Sequence, residues 1–196
     1  MEPRPPLDGQ RATQGLKMPD LAKLPHELDE KQATCLAIVE TPKGGRAKYN
    51  FDPKARAFRL KTLLPEGMSF PMDFGFIPST LADDGDPLDV MILSDEPAPT
   101  GALMAVRLLG VLEAEEREKG KTERNDRLLG VASPSHLYAQ VRTVEDLGQT
   151  FVDHLGEFWI NKDKLEGKAF RLLGVGDGKA AVALIQKAAK RARRKG

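Results

Sequence analysis

Between Asp83 and Leu93 the chain reads Asp-Asp-Gly-Asp-Pro-Leu-Asp-Val-Met-Ile-Leu, four carboxylates in seven residues that run directly into an apolar segment. A short apolar run bounded by turn residues is the pattern of a buried strand. Asp-Gly and Asp-Pro are turn signals, and the residue ahead of a proline is driven towards extended geometry. The acids therefore sit on a turn that opens a strand, with the backbone held by Gly85 and Pro87. On an extended chain Asp84 and Asp86 project to one side, and Asp89 faces away from Leu88, Val90 and Ile92. Grouped carboxylates repel, so a fold that keeps them together needs a compensating cation. A hard divalent ion with oxygen ligands meets that need, Mg²⁺ above all when the substrate is a phosphate. Acidic turns ahead of strands are also common as plain surface turns, and the acids alone do not separate the two readings. An EF-hand is excluded, because Gly85 does not stand at the sixth position of such a loop.

The rest of the chain is punctuated by proline and glycine at short intervals. Met1 to about Leu24, with Pro25 just beyond, is proline-rich and poor in large apolar groups, so residues 1–30 are expected to form a flexible arm ahead of a single domain over 31–196. Strands are expected at Cys35 to Glu40, Ala47 to Phe51, Ala57 to Leu63, Leu103 to Ala114 and Arg127 to Ala132. Phe70 to Pro78 is aromatic but bounded by prolines, which fits a curved edge better than a central strand. Glu115 to Asp126 is almost wholly charged and reads as a solvated hairpin tip. Two helices follow, one from Val144 through Trp159 and one over Lys179 to Arg194 with Ala181, Leu184, Ile185 and Ala188 on one side. Short strands followed by two helices predict an α+β, mainly β, fold: a small closed barrel with helices packed outside.

Composition removes several classes of function. A net charge of +1 on 196 residues supplies no field to recruit nucleic acid, and the basic end of the last helix is a solvated turn that complements the helix dipole. No apolar run reaches membrane-spanning length and no signal-peptide pattern is present, so a reducing cytoplasm is expected and no membrane partner. Cys35 is the single cysteine and sits in a strand-like run, where it reads as a small core residue. His26, His136 and His154 have no partners at ligand spacing, and Gly174 to Lys179 lacks the spacing of a P-loop.

Asp84-Gly85-Asp86-Pro87-Leu88-Asp89-Val90 resembles the D-G-D-P-x-D-V signature of soluble family I inorganic pyrophosphatases. The resemblance extends over roughly Cys35 to Lys168. Glu40 matches the glutamate of the family's Val-Ile-Glu-Ile-Pro, Lys48 the lysine of its Lys-Tyr-Glu, and Phe70 to Ile77 its Tyr-Pro-x-Asn-Tyr-Gly-Tyr-Ile. Gly110-Val111-Leu112 followed by Glu115 and Glu116 resembles the strand that carries another metal carboxylate, and Arg127 stands where the family has a phosphate-binding lysine. Departures are equally specific. Asn50 replaces a glutamate, Phe70 and Phe74 replace tyrosines, Asn125 replaces a metal aspartate with Asp126 beside it, and Lys162-Asp163 takes the place of a Tyr-Lys pair.

The resemblance implies an OB-like five-stranded barrel, a homo-oligomer, and Mg²⁺-dependent hydrolysis of pyrophosphate or a related diphosphate. It further implies Mg²⁺ ions on Asp84, Asp89 and one of Glu115 or Glu116, with Asp126 as a substitute ligand. Asp86 is then the candidate general base, and Lys48, Lys61, Arg127 and Glu40 form the substrate side. Metal-side groups are mostly kept and phosphate-side groups mostly changed, the pattern of a divergent branch. Two other functions stay open on the residues: hydrolysis of a different phosphoanhydride, or a catalytically weak binding module.

Overall fold

A computed structural model describes residues 19–195. Nine strands and two α-helices follow one another as β1 (Thr34–Thr41), β2 (Ala47–Asp52), β3 (Ala57–Leu63), β4 (Asp73–Ile77), β5 (Leu88–Leu93), β6 (Leu103–Glu118), β7 (Lys121–Arg124), β8 (Arg127–Ala132), α1 (Gln149–Leu165), β9 (Ala169–Asp177) and α2 (Gly178–Lys195). Hydrogen-bonded neighbours run β1–β4–β5–β8–β6, and β1 pairs back onto β6, from Thr34 opposite Arg107 to Ile38 opposite Leu103. Five strands thus form a closed circuit, the mainly-β, OB-like architecture expected. Strands β7 and β9 extend the sheet from the long β6, and β2–β3 is a separate hairpin.

The period-two alternation of these strands divides the core in two. Leu88, Val90 and Ile92 of β5 join Val106, Leu108 and Val111 of β6 under Ala181, Ile185 and Ala188 of α2. The opposite face presents Met91 and Leu93, Leu112 and Ala114, Leu129 and Val131 to Val152, Leu155 and Trp159 of α1. Cys35 is buried in the first of these clusters.

Three expectations need correction. Strand β4 is no edge: all five residues are buried and it pairs with β1 on one side and β5 on the other. Pro71 and Pro78 fall just outside it, so no ladder N–H is lost. Gly75 permits the close approach of β1, since a Cβ there would lie 1.9 Å from the Ile38 carbonyl oxygen. The first helix starts later than expected: Glu145–Leu147 is a 3-10 turn, Gly148 breaks it at φ +80°, and α1 begins at Gln149. Of the arm expected over residues 1–30, residues 1–18 lie outside those described. Residues 19–30 are held to the body. Ser79 donates its N–H to Ala22 O at 2.7 Å, Leu36 donates to His26 O at 2.7 Å, and Leu28 packs on the core.

Candidate active site

Strand alternation decides which acids can meet. Asp89 shares the face of Met91 and Leu93, and in the parallel ladder its neighbour on β8 is Arg127. On β6 the same face carries Leu112, Ala114 and then Glu116. These three side chains therefore converge at one end of the sheet, where the β4–β5 loop delivers Asp84 and Asp86. That loop is pinned at several points. Ala82 donates to Asp86 O at 2.7 Å, Asp86 N–H to Asp84 Oδ1 at 3.0 Å, and Arg191 of α2 pairs with Asp83 at 2.5 Å. Gly85 takes φ +93°, the left-handed region a glycine adopts without strain. The result is a cavity of about 360 Å³ whose lining includes Asp84, Asp86, Asp89 and Glu116.

Cations line the same cavity, among them Lys48, Lys61, Arg127 and Lys162. The Arg127 guanidinium is 2% exposed and lies 4.0 Å from the Trp159 ring centre and 4.8 Å from that of Phe170. Its Nε is buried with no hydrogen-bond partner among the described residues. Lys48 lies 5.2 Å from the Phe74 ring centre, and burial followed by the charge of Lys162 pushes its ammonium down to about 8. Lys162 is buried above Trp159 and holds Asp163 at 3.0 Å and Glu166 at 2.8 Å. No carboxylate among the described residues lies within ion-pair distance of Lys48 or Lys61. Gathering cations at such a cost in desolvation makes a site for a compact anion.

Burial raises the Asp89 carboxyl above the usual range, with Arg127 and Lys48 opposing the shift. Asp84 is raised as well, by desolvation and by the charges of Asp89, Asp86 and Glu116. Asp84 and Asp86 take part in no ion pair among the described residues, and both are exposed. Carboxylates on one short loop and without a protein cation of their own suit a hard divalent ion.

Other expected site residues fall elsewhere. Glu115 is turned by the alternation of β6 to the opposite face, where it pairs with Arg171 of β9 at 2.9 Å. Asp126 also faces away: it accepts from Ala114 N at 3.0 Å and from Arg124 Nε at 2.7 Å, which closes the β6–β7 hairpin. Both are outside the cavity, so neither is placed to hold a metal there. Glu40 is buried behind β2, with Oε1 accepting from Phe51 N at 2.6 Å; burial pushes its carboxyl up to about 7, reinforced by Asp89. Asn50 and Asn125 do line the cavity. Phe70 and Phe74 sit in an aromatic cluster with Trp159, at 6.4 and 5.3 Å between ring centres. The sequence reading missed Lys168 and Glu166, which also line the cavity. A signal for choosing Glu116 over Glu115 was present in its i+4 spacing from Leu112. None existed for Lys168, whose place depends on β9 returning beside β6.

A family model described as inorganic pyrophosphatase matches residues 37–193. A Synechocystis sp. protein named inorganic pyrophosphatase is 33% identical over 171 residues, covering 87% of this chain and 98% of its own length. One of the same name from Thermus thermophilus is 34% identical over 148 residues, 74% of this chain and 82% of that protein. The crystal structure of the inorganic pyrophosphatase from Thermus thermophilus superposes with a TM-score of 0.80 at 31% identity, over 89% of this chain and 99% of that one. That of an inorganic pyrophosphatase from Neisseria gonorrhoeae gives 0.80 at 24% identity, a likeness of fold. With most of the chain matched and the signature acids gathered at one cavity, the protein belongs to the inorganic pyrophosphatase family.

Proposed function

We propose that this protein hydrolyses inorganic pyrophosphate to two phosphates in a reaction that requires Mg²⁺. The observation that carries the reading is one cavity lined both by Asp84, Asp86 and Asp89 and by Lys48, Arg127 and Lys162, cations that rest on aromatic rings. Pyrophosphate is a compact polyanion, and its hydrolysis needs its charge quenched and a water activated near neutral pH. Bound Mg²⁺ supplies both, as a Lewis acid at the phosphoryl oxygens and by lowering the pKa of water. Among the described residues no three acidic, histidine or cysteine side chains already converge as a closed ligand set. Mg²⁺ is typically held through one or two carboxylates and completed by waters and substrate phosphates.

Asp84 and Asp89 hold the metal. Asp86, exposed on the same loop and without an ion pair, accepts the proton of the attacking water. Lys48, Lys61, Arg127 and Lys162 bind the phosphate oxygens and neutralise the leaving phosphate. The reaction takes place in a reducing cytoplasm, in which the buried Cys35 thiol, pushed up to about 12 by burial, is inert, and in a homo-oligomer. No helix among the described residues is long and apolar enough to cross a membrane.

Phosphate release over a panel of diphosphates, with and without Mg²⁺, tests the proposal. Pyrophosphate is expected to be hydrolysed only with the metal and to lose that activity to a chelator. Nucleoside diphosphates belong in the panel, because Asn50 lines this pocket where the family motif carries a glutamate. Release from one of these but not from pyrophosphate would replace the substrate. Release from none would refute the enzymatic reading.

A further inference from the structure

Glu116 faces the cavity, yet both of its oxygens are already engaged. Oε1 accepts from Lys168 Nζ at 2.5 Å, while Oε2 accepts from Asn125 Nδ2 at 3.3 Å and lies 3.9 Å from Arg127 Nη2. Burial acts to raise the Glu116 carboxyl, but the bond from Lys168 and the nearby cations outweigh it and hold it below the usual range. Lys168 is itself fixed. Its N–H donates to Asp163 O at 2.9 Å at the end of α1, and its ammonium also reaches Glu118 at 3.4 Å. Both partners are largely shielded, with side chains 14% and 23% exposed. A divalent ion could reach Oε1 only by displacing an ammonium, and Oε2 only by moving in beside a guanidinium. The neighbouring Asn125 is an amide and brings no charge to assist it.

We infer that Lys168 is a built-in cation of this site: its ammonium fills the place at Glu116 that a divalent ion would otherwise take. Glu116 is then the counter-ion of Lys168 and not a metal ligand. The divalent ions of the site gather instead at Asp84 and Asp89. This inference rests on the reading of the cavity as a metal-dependent diphosphate site.

Counting Mn²⁺ bound to the substrate-free protein, by equilibrium dialysis with detection of free Mn²⁺ by electron paramagnetic resonance, tests it without recourse to activity. E116Q is expected to bind as many ions as the wild type, with little change in affinity, while D89N binds fewer. K168Q frees Glu116 and is expected to bind one ion more than the wild type, whereas K168R keeps the charge and the wild-type count. Melting curves confirm that each variant is folded, and K168R supplies the answer if K168Q is not: an added ion in K168R would contradict the inference. Loss of an ion in E116Q, or affinity weakened roughly tenfold or more as when a ligand or its direct support is removed, would overturn it. So would a folded K168Q with an unchanged count. A wild type that binds no Mn²⁺ would refute the reading of the cavity itself and this inference with it, a failure distinct from metal binding that depends on Glu116.

Discussion

Two acids of the cavity, Asp84 and Asp86, hang on a loop, whereas the cations Arg127, Lys48 and Lys162 are set into the aromatic core. Asp84 and Asp86 are exposed and held by backbone hydrogen bonds and the Arg191–Asp83 pair at their base. Arg127, Lys48 and Lys162 are buried against Trp159, Phe170 and Phe74. The difference follows from what each side must hold. A metal completes its shell with water and tolerates ligands that adjust, so carboxylates on a turn serve it. An anion is oriented by charges that do not move, and a guanidinium stacked on rings is pre-organised at the moment of binding. Each cation–π contact contributes about 0.5–2 kcal/mol, which offsets part of the desolvation of these cations. The loop acids are therefore free to change with little effect on stability, and the cations are part of the fold.

Substitution of a loop acid should cost rate without stability. Asp86→Asn is expected to lower kcat by about 10²–10⁴-fold, the range for loss of a positioned proton acceptor, with an unchanged melting temperature. A near wild-type kcat would remove Asp86 from the chemistry. Around the buried cations rate and stability should fall together. Trp159→Ala removes the platform beneath Arg127 and leaves a large cavity in the core, at about 3–5 kcal/mol of stability. Urea unfolding measures that loss, and substrate KM should rise in whatever protein remains folded. Loss of stability with KM unchanged would separate the platform from substrate binding.

Two smaller effects depend on pH. Glu40 has a carboxyl raised from 4.5 to about 7, so the folded chain holds a proton that the unfolded chain has released. Its favourable contribution is complete below pH 4.5 and is lost as pH rises through about 7. In metal-free protein, Glu40→Gln should therefore stabilise progressively across that window, by up to about 3 kcal/mol above it. Denaturation at pH 5 and pH 8 measures the gain, and an equal effect at both would contradict it. Lys48 is charged below about 8 and neutral above, so pyrophosphate affinity should fall as pH rises through that value, at most about tenfold per pH unit. At saturating Mg²⁺, Lys48→Arg should abolish that phase of the KM profile. Its persistence would assign the phase to another group.

The sequence carried the acidic turn and most strand positions, because local signals specify a turn and alternation specifies a face, whereas Lys48 and Arg127 were legible only through the resemblance to the family's motifs. Beyond that reach lay whatever depends on which strand lies beside which. Strand β9 carries Gly174 and Gly176, residues that weaken the pattern of a strand interior. In the structure a Cβ at Gly176 would come within 2.8 Å of Val111 Cγ1, so glycine there permits close packing beside β6. Strand β4 was misjudged as an edge because prolines flank it. Asp126 stands beside the cavity residues Asn125 and Arg127 in sequence, but the hairpin turns its carboxylate to a backbone N–H of β6.

Closure of the five-strand circuit carries a kinetic consequence. The β1–β6 ladder joins Ile38 to Leu103 and Thr34 to Arg107, residues 65 and 73 positions apart along the chain (103 − 38 and 107 − 34). The chain entropy lost in closing loops of that size must be spent before the ladder forms. The parallel alignment of β5 with β8, which sets Asp89 beside Arg127, also waits on a distant segment. Topologies of such high contact order refold in milliseconds to seconds rather than microseconds. Because the acids and cations of the cavity arrive on strands that become neighbours only in the assembled sheet, an early collapsed chain holds the D-G-D-P-x-D turn without its opposing charges. Recovery of substrate binding during refolding should accordingly track the final slow phase and lag behind the appearance of β-structure.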